Sequence, residues 1–232
     1  MEGKIIRIRR YPVKSMGGED LPSVALDERG ISRDRWFAVR DSEGHFASGK
    51  NTRRFRHHDE VFQYSAATTG DDVRVTHGDG GSWLVGDPDL YAHLSENMGE
   101  QVTVSAEQTI PHQDMGSLSL IGTATLQWCA DQWGLNADPR RLRVNIVIET
   151  SEPFIEESWV GCSASLGAAG LDFVKNPTLP HDWHQSRWHR GHGRVAETPR
   201  PRTEYVHRCI CECNESRADT CRRTHQCMSV VN

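Results

Sequence analysis

The chain has no apolar run approaching the ~18 residues a membrane span needs. Its start, MEGKIIRIRRYPVKS, lacks an apolar h-region with a cleavage site. No membrane segment or secretion leader is therefore expected, and a cytoplasmic protein is. Cysteine is scarce over most of the sequence. Only Cys129 and Cys162 precede residue 200, which excludes a disulfide scaffold there and suits a reducing compartment. Surplus positive charge is missing too. A formal net charge of −5 and a pI near 6.2 argue against a general nucleic-acid binder.

The averages hide a seam. Residues 1–175 hold 18 basic and 26 acidic side chains, whereas residues 176–232 hold nine Arg, no Lys and six acids. Those last 57 residues contain six Leu, Ile and Val together and no Phe. That is well under the ~20% apolar content below which a segment struggles to fold alone. Five of the seven cysteines crowd here, in RCICECNESRADTCRRTHQC: Cys209, Cys211, Cys213, Cys221 and Cys227, beside His207 and His225. The cluster has enough thiolates and imidazoles for tetrahedral zinc, but lacks the paired C-x-x-C knuckles of a strong zinc motif. A disordered extension is the other direct reading.

What is present before the seam is β-rich. KIIRIRRYPV, DRWFAVRD, DDVRVTH, GSWLV and EQVTVSA are strand candidates; DERGISR and DSEGHF are turns. In GDPDLYAHLSENMGE, Asp87 is placed to N-cap a helix with Pro88 at its first position. Leu90, Tyr91, Leu94 and Met98 share a face, and Gly99 stops it. GSLSLIG is a strand leading into a helix at TATLQWCADQWG, with Gly134 as stop. RLRVNIVIET alternates, which predicts Arg143 and Asn145 side by side on one strand face. That pair can hold an anion or a polar ring edge, or form a solvated outer face.

Four stretches, YPVKSMGGEDL (11–21), GISRDRWFAVRDSEGHFASGKN (30–51), DPRRLRVNIVIE (138–149) and EPFIEESWVG (152–161), together resemble a MOSC protein with its N-terminal β-barrel domain. They cover most of residues 4–175 in the family's order. The resemblance implies a mainly β fold with a few helices. An N-terminal β-barrel domain over 1–107 is followed by a MOSC-type, pyruvate kinase β-barrel-like domain over 108–175, truncated at its C-terminus. Residues 176–232 form a non-homologous tail, expected to be disordered.

It also implies a molybdenum cofactor (molybdopterin), with pyridoxal phosphate binding as a further family-level association. The family's cofactor-binding positions fall on Lys14, Ser15, Arg35, Arg143 and Asn145. Leu142 and Val144 stand where the family often has Phe and Pro. Lys as a point charge, Arg as a planar fork and a hydroxyl donor suit a cofactor phosphate. The plainer readings are a surface loop for Lys14 and Ser15, and an ion pair of Arg35 with Asp34 or Asp41. Trp159 and Phe154 are expected to pack the core.

Reducing members of the family, such as the amidoxime-reducing components and the reductases of N-hydroxylated purines, bind molybdenum through one Cys. It follows the strand aligned with LDFVK. Here LDFVK runs into NPTLPHDWHQ, without Cys, so no catalytic or metal-ligand residue is assigned. Cys162, in WVGCSASLG, reads as a small buried hydrophobe. The genetic code suggests a cause for the loss. Leu179–His184 written CTG CCG CAT GAT TGG CAT reads, one base later, Cys-Arg-Met-Ile-Gly-Ile. Thr178 as ACG becomes Arg, restoring the family's R-C-R-M-I. The same frame turns EYVHRCICE into a peptide ending Gly-Val-Tyr-Ala, like the family's penultimate strand, and CRRT into Val-Gly-Glu. The sequence therefore points to a one-base frame shift near codons 174–178.

The implied reaction is two-electron reduction of small N-hydroxylated or N-oxide substrates, with electrons from an external ferredoxin or flavoprotein reductase. Neither nucleic acid nor membrane is an expected partner. The alternatives are a molybdopterin or sulfur carrier, or sulfurtransferase-like binding protein, without turnover, and an inactive frame-shifted product.

Overall fold

The computed structural model describes residues 2–27, 29–133, 138–166, 169–175, 209–213 and 228–231. Among them the fold is mainly β, with two α-helices. In chain order the strands are β1 (Glu2–Arg10), β2 (Glu19–Leu21), β3 (Leu26–Asp27), β4 (Gly30–Ile31), β5 (Phe37–Asp41), β6 (Phe46–Ser48), β7 (Phe55–His57), β8 (Tyr64–Thr69) and β9 (Asp72–His77). There follow β10 (Ser82–Leu84), α1 (Pro88–Met98), β11 (Val102–Ala106), β12 (Leu118–Gly122), α2 (Thr123–Trp133) and β13 (Ile146–Ile148). The last strands are β14 (Ser163–Leu166), β15 (Ala169–Lys175), β16 (Cys209–Cys213) and β17 (Met228–Val231).

The chain divides into two compact units. One holds residues 10–20 and 33–114; the other holds 1–9, 21–32 and 115–232. This grouping follows contacts in space and is discontinuous in sequence, unlike the expected 1–107 and 108–175 domains. The chain's first residues group with its later part because β1 pairs antiparallel with β13, Ile8 opposite Ile146. Backbone donors and acceptors of an apolar strand must find a ladder, and that ladder lies more than a hundred residues away.

In the 10–20 and 33–114 unit, β8, β9 and β10 form one antiparallel sheet, and β11, β5, β6 and β7 another. The period-2 pattern of DDVRVTH buries Val73 and Val75 while Asp72, Arg74 and Thr76 face water. Helix α1 forms as its punctuation predicts. The Asp87 carboxylate accepts from Asp89 N at 2.9 Å, Pro88 opens the helix, and Gly99 closes it at φ 70°. Leu90, Leu94 and Met98 join Val13, Met16, Val39, Tyr64, Val73, Val75, Val102 and Val104 in one core.

In the other unit a single sheet runs β13-β12-β16-β15-β14-β17-β1, and β1 also pairs with β13. Leu118, Leu120, Ile146, Ile148, Trp159, Leu171 and Phe173 form its main core. Trp159 thus packs as expected. Phe154 packs beside Trp128 against the smaller cluster of Ile121, Leu126, Cys129, Leu142, Val144 and Val147. The expected stop at Gly134 lies outside the described residues.

Two findings depart from the sequence reading. The strand at 142–149 is shortened to three residues. Asp138 caps a 3₁₀ turn over Pro139–Arg141, its carboxylate accepting from Arg140 N at 2.9 Å. Arg143 then adopts φ 52°, so the alternation from Leu142 breaks before Ile146. The second departure is in the tail, where Cys209–Cys213 and Met228–Val231 are strands. β16 pairs with β12 and β15; β17 pairs in parallel with β14 and β1. These segments bring apolar residues together, and edges on β12, β14, β15 and β1 offer them ladders. These nine residues are strands within the tail that the sequence reading expected to be disordered. The other tail cysteines and histidines lie outside the described residues.

Candidate functional site

The YPVKSMGG segment is laced into its unit by backbone bonds. Tyr11 N donates to the fully buried Asp34 at 2.8 Å, Arg35 N to Tyr11 O at 2.7 Å, and Lys14 N to Phe37 O at 2.7 Å. Gly17 exchanges bonds with Tyr64 and Ala66. Gly18 lies so close to the Arg10 carbonyl that a Cβ would sit 2.1 Å from that oxygen. The glycine is required for this approach rather than for a turn.

Lys14 is buried, with its ammonium donating to His112 O at 2.6 Å and to Asp114 Oδ1 at 2.8 Å. Burial pulls its pKa down to about 8, against the support of Asp114 and with repulsion from Arg35 and Lys50. Burial works against the Asp114 charge as well. Yet Lys14, with Lys50 and Arg35 behind it, holds that carboxyl down at about 2. The Ser15 hydroxyl donates to Ala47 O at 2.8 Å from a backbone at φ 69°. Arg35, at φ 51°, pairs with Asp34, and its guanidinium lies 5.0 Å from the Tyr11 ring centre. The ion pair foreseen as the plainer reading is therefore present.

His112 completes the group. It is fully buried, edge-on to Phe46 at 5.0 Å, with Nδ1 3.1 Å from Arg35 O and Nε2 3.2 Å from Arg40 Nη2. A carbonyl accepts and a guanidinium donates, so the ring carries its proton on Nδ1. Burial holds it neutral, its pKa lowered to about 4 against the pull of Glu107, with Arg40 and Lys14 adding repulsion. Lys50 and Arg54 approach the same loop, at Asp114 and Pro111. Lys14, Arg35, Arg40, Lys50 and Arg54 thus converge on the segment 107–114. Sequence reasoning missed His112, Asp114, Arg40, Lys50 and Arg54. Lys14 and His112 are 98 positions apart, and no motif joins them.

Arg143 and Asn145 lie in the other compact unit and do not stand side by side on a strand. The Asn145 carbonyl oxygen accepts from Ser119 N and Oγ, both at 3.2 Å, and its amide donates to Arg9 O at 3.2 Å. It ties β12 and β1 to the start of β13. Of the five described non-glycine residues with positive φ, Ser15, Arg35 and Arg143 are cofactor candidates. Such conformations cost about 1–3 kcal/mol each and gather at functional sites.

The Cys129 thiol is a poor metal ligand. Cys129 is buried, and burial, reinforced by the Glu156 charge, pushes its pKa up to about 12. Cys162 is partly buried beside the main core rather than fully enclosed as expected. No curated protein matches the chain. The MOSC N-terminal beta barrel domain matches residues 2–130, more than half of the sequence, and with YPVKS and the R-D-R turn folded into one buried cluster there, the chain belongs to that family.

Proposed function

We propose that this chain is a molybdenum-cofactor-binding MOSC protein whose intact reading frame reduces N-hydroxylated or N-oxide substrates. Both units are read as β-barrels on the family resemblance. The observation that carries the reading is the convergence of Lys14, Arg35, Arg40, Lys50 and Arg54 on residues 107–114, in a family linked to this cofactor.

The donors present fit an anionic pterin phosphate. Five cations face Asp114, Glu107 and Asp34, the last already paired with Arg35, and the excess of two favours a dianion. Lys14 would exchange Asp114 for a phosphate oxygen, and a second anion would raise its pKa from about 8 and hold it charged. Arg35 and Ser15 would supply planar and hydroxyl donors. Arg143 and Asn145 remain cofactor candidates on the family resemblance, and within their own unit Asn145 holds the start of β13 through Ser119 and Arg9. When bound, the group supplies oxygen-atom chemistry at its metal, using electrons from a ferredoxin or flavoprotein reductase. No Cys follows LDFVK in NPTLPHDWHQ, and Cys129 is buried with its pKa pushed up to about 12, so it offers no soft thiolate. The chain as written is therefore read as a frame-shifted form with weak cofactor retention.

The test compares the chain as written with one repaired at codons 174–178. We expect molybdenum content and benzamidoxime reduction in the repaired chain alone. Molybdenum without reduction under any donor favours the carrier reading. Equal molybdenum in both chains overturns the loss. Genomic DNA whose codons do not encode the shifted peptide removes the frame shift itself.

A further inference from the structure

We propose that His77, Asp79 and His93 form a binding site for a divalent first-row transition cation, with zinc the best match to the donor set. The site is separate from the cation cluster at residues 107–114 and rests on none of that reading. His77 ends β9, Asp79 lies in the turn before β10, and His93 comes from α1. One ligand atom from each lies within 4.8 Å of the others. The Asp79 carboxylate is 3.0 Å from His77 Nδ1 and 3.3 Å from His93 Nε2. A tetrahedral cation with bonds of 2.0–2.1 Å spaces its ligands by ~3.3 Å. Two imidazoles and a carboxylate match zinc and its neighbours, leaving a position for water.

The outer contacts of both rings suit the same role. His77 Nε2 lies 3.2 Å from Gln63 Oε1, which only accepts, so Nδ1 presents its lone pair. Asp79 N–H already points to that Nδ1 at 3.4 Å. His93 Nδ1 lies 2.8 Å from the Tyr64 hydroxyl, itself held by Asn97 Nδ2 at 2.7 Å. Asn97 Nδ2, which only donates, also lies 3.2 Å from His93 Nδ1, so Nδ1 accepts and Nε2 gives up its proton to an incoming ion. Metal-bound imidazoles are oriented by such partners at their second nitrogen.

Charge points the same way. The Asp79 carboxylate accepts from Gly81 N at 2.8 Å through one oxygen and turns the other toward His93 Nε2 at 3.3 Å. No Lys or Arg among the described residues pairs with it. The contrast is the second histidine–acid group, Asp41, Glu43 and His45, whose carboxylates are already met by Arg56 at 3.5 and 2.7 Å. That group has its cation. The His77 group holds only a hydrogen-bonded network, and a bound ion would clamp the β9–β10 turn to α1.

Zinc titration of the full chain, its thiols first blocked with N-ethylmaleimide, tests the site calorimetrically and by thermal melting. The unaltered chain is expected to bind one zinc and to melt higher with it. Asp79→Asn, at an exposed position that tolerates the change, and His93→Ala should each lose that equivalent and that shift. Gln63→Ala should bind ~10-fold more weakly, and His45→Ala should bind as the unaltered chain does. With cobalt, the spectrum should lack a thiolate charge-transfer band. Equal zinc uptake by the unaltered chain and Asp79→Asn overturns the proposal, and so does absence of binding in the unaltered chain. Because molybdenum content does not enter, failure here is distinguishable from failure of the cofactor reading.

Discussion

His112 was invisible as a functional residue in the sequence, yet its surroundings dictate a measurable property. Its folded pKa of about 4 lies below the usual 6.5. Between those values the unfolded chain binds a proton that the folded chain refuses, so stability is full above pH 6.5 and falls as pH drops toward 4. The loss is on the order of 2–3 kcal/mol at 1.36 kcal/mol per pKa unit. Urea unfolding at pH 7 and pH 4.5 should show it, and His112→Gln should remove most of the difference. An unchanged pH dependence in the variant would show that other groups carry it. A second residue-scale expectation concerns Cys129. With a pKa of about 12 and no exposed surface, it should resist iodoacetamide in the native protein and react once urea unfolds it. Lys14 was identified from YPVKS, but its depressed pKa was not. That property comes from burial, which Asp114, a hundred positions away, only partly offsets.

At the scale of elements, legibility tracked how local the cause was. Asp87, Pro88 and Gly99 sit next to the helix they delimit, so α1 could be read from its punctuation. Asp87→Ala should cost about 1 kcal/mol by loss of the cap, read as a lowered unfolding midpoint with unchanged slope. The strand predicted at 142–149 failed for an equally local reason that alternation conceals. Asp138 and Pro139 start a 3₁₀ turn, and its exit places Arg143 in the left-handed region. Counting apolar positions cannot reveal a φ sign. The tail strands were harder still: their partners on β12, β14, β15 and β1 are set by ladder edges that composition does not describe.

For the whole molecule, the tail strands carry a separable prediction. Ending the chain after Lys175 removes β16 and β17 and leaves backbone groups of β12 and β15 without their ladder. Amides of Leu118–Leu120 and Leu171–Phe173 should lose hydrogen-exchange protection. Retained protection would mean that β16 adds nothing to the sheet. The pairing of β1 with β17 has a different kind of consequence. Glu2 lies opposite Ser229 and Lys4 opposite Val231, in parallel. A ribosome adding 5–20 residues each second needs roughly ten to forty seconds between those two strands. Through that interval β1 has emerged and its parallel neighbour has not been made. The larger unit therefore cannot assemble in the order of synthesis, and its earliest strand waits, in need of protection by a chaperone, for one of the last.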